Sequence, residues 1–94
     1  MEYEWDGAKR RNNLVKHGVD FAAANGFDWF DAVIIEDRRH AYGERRWLAL
    51  GKIGARLDTL VYTERIERKR IISLRKSKRK EVRIYEQASH SSNF

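Results

Sequence analysis

The sequence predicts a single α+β domain, with helices near both ends of the chain packed against a central antiparallel meander. Three observations predict it. Ninety-four residues suit one compact domain. Apolar residues recur at helical spacing up to about Phe30, alternate through the middle of the chain, and return to helical spacing after Ser77. No repeat or low-complexity linker divides the chain, and there is no proline. Helices grouped against a run of strands, rather than interleaved with them, define the class. The domain is expected to span residues 1–88, with 89–94 as a disordered polar tail.

Tyr3 to Trp5 suits a short first strand. Asp6 is an N-cap, because its carboxylate can accept from the open amides of the following turn. Residues 7–16 then read as a helix with a weak stripe of Ala8, Asn12, Leu14 and Val15. Lys16 and His17 suit its C-terminal dipole, and Gly18 is a natural left-handed terminator. Asp20 caps a second, short helix whose buried face is Phe21, Ala24, Phe27 and Phe30, weakened by Gly26.

The period then changes. Ala32-Val33-Ile34-Ile35 reads as a strand, and Glu36 to Gly43 as a polar turn. Glu44 to Lys52 alternates, with Leu48 and Leu50 on the face of Arg46, and Trp47 and Ala49 on the other. Gly54 marks a hairpin turn. Leu57 to Thr63 and Arg68 to Leu74 complete the meander, Arg70, Ile72 and Leu74 opposing Ile71, Ser73 and Arg75. Ser77 is expected to cap a last, basic helix running to about Gln87, with Val82 and Tyr85 inward. The expected set is a short N-terminal strand, two helices, three to four further strands and a C-terminal helix.

The formal charge is +6, and its distribution is uneven. Between Arg65 and Arg83 ten Lys or Arg stand against Glu67 and Glu81, a net of +8, so the remainder sums to −2. Localised positive charge suits a polyanion-binding face; a solvated basic helix has the same signature. There is no cysteine, so disulfides and thiolate metal sites are excluded. Three histidines without ligand spacing do not predict a metal site, and no nucleotide-cradling glycine loop or nucleophile elbow is present. No apolar run approaches the ~20 residues that span a bilayer. The acidic start, Met1 to Asp6, lacks the order of a signal peptide, so the expected location is the cytoplasm.

The strongest local pattern is Thr63-Glu64-Arg65 followed by Arg70-Ile71-Ile72-Ser73-Leu74-Arg75. Paired strands bring such positions about 5 Å apart. Arginines among apolar residues need partners, and a guanidinium fork matches phosphate oxygens; a salt bridge to Glu64 or Glu44 would serve equally. His40, in a loop beside Arg38 and Arg39, is a candidate for proton transfer. His17 suits a cap or a second such role. Tyr85 can orient a phosphate or fill the core. Trp5, Trp29 and Trp47 are expected in the core.

Glu4-Trp5-Asp6, Lys9, Asn13, Lys16-His17-Gly18-Val19 and Phe21 together resemble the opening of the BrnT toxins. Asp37, Arg39-His40, Gly43-Glu44, Arg46 and Gly51 resemble the family's middle segment. Thr63-Glu64-Arg65, Arg70 to Ser73, Arg75 and an arginine-rich helix ending at Tyr85 complete the likeness, which reaches about residue 86.

The resemblance implies a fold related to RelE-type ribonuclease toxins. It implies RNA cleavage without a metal or other cofactor, and neutralisation by a BrnA-like antitoxin with a ribbon-helix-helix domain. The expected chemistry is attack of a ribose 2′-hydroxyl on the adjacent phosphorus. Arg65, Arg70 or Arg75 would stabilise the developing charge, and Glu64, His40 or His17 would accept the proton, with Tyr85 nearby. Lys16, His17, Arg46, Arg79 and Arg83 are the candidates for holding the RNA backbone. The rival readings are a non-catalytic nucleic-acid-binding module using the same face, and a protein that docks an acidic partner.

Overall fold

The computed structural model describes residues 1–91. Strand β1 (Tyr3–Glu4) leads into helix α1 (Gly7–His17), a 3-10 helix (Phe21–Gly26), strands β2 (Val33–Asp37), β3 (Arg46–Ile53), β4 (Arg56–Arg65) and β5 (Arg68–Lys76), and helix α2 (Arg79–Ser91). The sheet order is β1-β5-β4-β3-β2. The last four strands form the expected meander. The first joins its outer edge in parallel, Tyr3 beside Lys69 and Glu4 beside Arg70, so the sheet is mixed.

The local signals at the N-terminus act as expected. Asp6 caps α1 and accepts from the Ala8 amide at 3.4 Å. Gly18 ends it at φ 71°, where its lack of a Cβ removes the steric penalty, and its amide reaches the Leu14 carbonyl. Asp20 caps the 3-10 helix through the Ala22 amide. Trp29 Nε1 donates to the Tyr3 hydroxyl, which donates to the Ala24 carbonyl, tying β1 to the loop beyond this helix.

Two apolar faces differ from expectation. The tighter helix stops at Gly26, and Phe27 turns extended. Phe21, Ala24 and Phe27 are buried, but Phe30 is thrown outward, 94 % exposed. The expected stripe on α1 also faces water: Val15 is exposed, and the residue α1 buries is Asn13. Its side-chain nitrogen donates to the carbonyls of Leu74 (2.7 Å) and Val19 (3.0 Å). Its oxygen accepts from the Leu74 amide and the Ser73 hydroxyl. The amide of Asn13 thus takes the place of a neighbouring strand on β5, beyond the reach of the two-residue β1. That satisfies backbone groups whose burial unpaired is costly.

The sheet face turned toward α1 and the 3-10 helix carries the core, where Ala49, Leu60, Tyr62, Ile71 and Leu74 meet Val19, Phe21, Ala24 and Phe27. Trp5, Trp29 and Trp47 pack around it, partly buried. The Phe27 ring lies so close to Gly51 that a Cβ there would meet it at 2.5 Å.

The far face carries Leu48, Leu50, Thr59, Val61, Ser73 and Arg75, paired across the strands. A β-bulge decides which residues of β5 reach it. Consecutive Val61 and Tyr62 pair with Ser73 and Ile71, leaving Ile72 as the extra residue. Ile71 and Leu74 therefore share the core face, although strict alternation separates them. The sequence expectation that Arg70, Ile72 and Leu74 share a side fails here.

Helix α2 crosses the far face at β3 and covers only part of it. Ser77 is not its cap. The first helical bonds start from the Lys78 carbonyl, and Glu81 accepts from the Lys78 amide at 2.7 Å. The Ser77 hydroxyl instead pairs with Thr59. The helix continues to Ser91, past the expected end at Gln87; the rest of the expected tail, 92–94, lies outside the described residues.

Candidate functional site

The uncovered part of the far face is a cleft of about 470 Å³. Its floor is Val61, with Ile72, Ser73 and Arg75 from the bulged part of β5. One wall is the end of α1, Lys16 and His17; the other is Lys78 at the start of α2. Arg46 and the loop after β2, with Asp37, Arg39 and Tyr42, close the third side. Five cations thus line the cleft against one carboxylate.

Arg75 is fixed rather than free. Its two terminal nitrogens meet both Glu81 oxygens at 2.8 and 2.9 Å, with both side chains largely buried. Glu81 also accepts from the Thr59 hydroxyl. Burial alone would raise the Glu81 carboxyl pKa. The Arg75 guanidinium, the Lys78 amide and the Thr59 hydroxyl outweigh that and hold it at about 2. Arg39 grips Asp37 in the same two-pronged way, and with the help of Tyr42 holds that carboxyl far below the usual carboxylate range.

Arg46 is different. Its guanidinium lies over the Tyr42 ring at 4.0 Å. Glu44, its nearest carboxylate, is 3.7 Å away, and its buried Nε makes no hydrogen bond. A buried donor without a protein partner leaves hydrogen-bonding capacity that a water or an ion can fill. Lys16 and Lys78 pair with no carboxylate among the described residues. Partial burial, and then the positive charges of Lys16, Arg75 and Lys78, push the His17 pKa below its ordinary value. At neutral pH His17 is therefore an uncharged imidazole in a cationic pocket, able to accept a proton.

The structure brings together Lys16, His17, Arg46 and Arg75 of the residues picked from sequence, and separates the rest. Glu64 and Arg65 lie at the β4–β5 hairpin end, beside a shallower hollow with Trp47. There Lys69 pairs with Glu64, and Arg65 with Glu44 at 3.3 Å. Arg70 is bound to Glu4 at 2.7 Å. His40 packs its ring edge-to-face on Tyr42, centroids 5.6 Å apart, outside the cleft lining. Tyr85 is half-buried on α2, and Arg79 and Arg83 are exposed on that helix, all three beyond the lining. Sequence reasoning passed over Tyr42, Lys78 and Glu81. The Glu81 signal was present: Glu at the third helical position suits a helix start.

Fold and site together define a small basic α+β domain with a cation-lined cleft on the open part of its sheet. The family model for the ribonuclease toxin BrnT of type II toxin–antitoxin systems matches residues 5–81, and the chain belongs to that family. The family implies an RNA target and a protein antitoxin as partner. No curated protein matches the chain. No helix among the described residues is long and apolar enough to cross a membrane.

Proposed function

We propose that this chain is an endoribonuclease that cuts RNA in the cleft between the end of α1 and the start of α2, arresting translation and growth. The observation that carries this is the placing of His17 in one cleft with Lys16 and Lys78, which pair with no carboxylate among the described residues, and with Arg75, which Glu81 holds in place. His17 takes the proton of a ribose 2′-hydroxyl as that oxygen attacks the adjacent phosphorus. The bond from phosphorus to the 5′-oxygen breaks, and water protonates the departing oxygen. Arg75, preset by Glu81, and Arg46, whose Nε lacks a partner, face the phosphoryl oxygens, where charge builds up. Lys16 and Lys78 hold the backbone.

The reaction needs no metal in this reading. Support comes from the donor set: among the described residues no three His, Asp or Glu side chains gather at one point, and the cleft's carboxylate is held by a guanidinium. The proposed partner is a BrnA-like ribbon-helix-helix antitoxin, and the proposed location is the cytoplasm, where RNA is translated.

Purified protein incubated with RNA and a chelator tests the reading. Cleavage leaving 2′,3′-cyclic phosphate ends is expected. His17→Ala should lose about 10²–10⁴-fold in rate. Because the His17 pKa is lowered, kcat/KM should rise with pH through a midpoint below 6.5 and then level off, and the variant should lack that limb. Intact RNA bound by the wild type would make the protein a binding module instead.

A further inference from the structure

Next to the cleft lies a smaller hollow of about 210 Å³ that shares Lys16, His17, Ile72 and Ser73 with it. Its own walls are Lys9 and Asn12, over the spent amide of Asn13. Lys9, Asn12 and Lys16 stand at positions i, i+3 and i+7 of α1, one face of the helix, and span about 10 Å along its axis. The hollow has no carboxylate in its lining. Among the described residues Lys9 and Lys16 have no ion-pair partner, and the exposed Asn12 side chain makes no hydrogen bond. Two cations and an unused amide, set in a recess continuous with the cleft, have the chemistry of a phosphate site.

We propose that this hollow is a second phosphate subsite, so that the groove holds at least two successive phosphates of an RNA strand with His17 at the junction. The inference rests on the ribonuclease reading for the identity of the strand, and it makes that enzyme one that grips a chain rather than a single nucleotide.

Oligonucleotides blocked by 2′-O-methyl groups, carrying one, two or three phosphates, test it by equilibrium binding. The wild type should bind more tightly as the second phosphate is added. The double variant Lys9→Gln/Asn12→Ala should weaken the three-phosphate ligand roughly fivefold. The slope of log affinity against log salt should fall by about 0.7, the loss of one single-strand phosphate contact. Lys52→Gln, an equal charge change on an exposed residue outside the groove, should leave both at the wild-type value. Circular dichroism confirms that the variants fold. Wild-type affinity and slope in the double variant, or an equal loss in Lys52→Gln, overturns the subsite. A length step in a wild type that cuts no RNA keeps the subsite and overturns the ribonuclease reading; cutting without a length step does the reverse.

Discussion

The two ends of the sheet carry similar numbers of cations and use them in opposite ways. At the β4–β5 hairpin end, Arg65, Arg68, Lys69 and Arg70 each meet a carboxylate: Glu44, Glu2, Glu64 and Glu4. At the helix end, Lys9, Lys16 and Lys78 meet none among the described residues, Arg46 is poorly matched, and the pairing of Arg75 with Glu81 fixes a guanidinium at the cleft floor. Positive charge by itself therefore does not mark the site. What marks it is charge that the protein leaves unanswered, next to charge held rigid.

The largest effect should come from unlocking that rigid charge. Glu81→Gln leaves Arg75 without its counter-charge in a largely buried place, and should cost about 3–5 kcal/mol of folding stability in chemical denaturation. Native Glu81 titrates near 2, below its ordinary value, so its contribution is fully present above about pH 4.5. It should fade as pH falls from there toward 2. A wild-type stability profile flat across that window would show that the pair is not coupled to folding.

Asn13→Ala should cost less, roughly 2–3 kcal/mol in the same assay, by orphaning buried backbone groups on Leu74 and Val19. A cost under 0.5 kcal/mol would mean that water or a shifted helix replaces the amide.

The smallest effect belongs to the hairpin end. Arg65→Ala removes an exposed ion pair and should change stability by less than about 1 kcal/mol, and RNA cleavage less than twofold. A large loss of cleavage with stability intact would return the site to Glu64 and Arg65, and would erase the contrast between the two ends.

Much of the architecture was legible in the sequence because its signals are local. Asp6, Gly18 and Asp20 act on amides or carbonyls within four residues. Alternation in β3 and β4 reports directly which side chains face the core. The site was only half legible, because its logic is tertiary. The sequence shows ten cations between Arg65 and Arg83, but not that Glu2 and Glu4, far away in the chain, neutralise two of them. Nor does it show the bulge: Ile71-Ile72 fits either face equally well, and one extra residue decides that Ile71 joins Leu74 in the core while Ser73 and Arg75 face the cleft. Asn13 was visible as part of a family pattern, but its contact with Leu74 spans 61 positions, and no spacing rule reaches that far.

The Asn13 amide has one more consequence. An unpaired strand border is a template on which another polypeptide can crystallise its own hydrogen bonds. On the β5 border that template is occupied by β1 at one place and by a single side chain at the next. A visiting chain would meet on this side only the two residues of β1, whereas β2, the opposite terminal strand, offers it five.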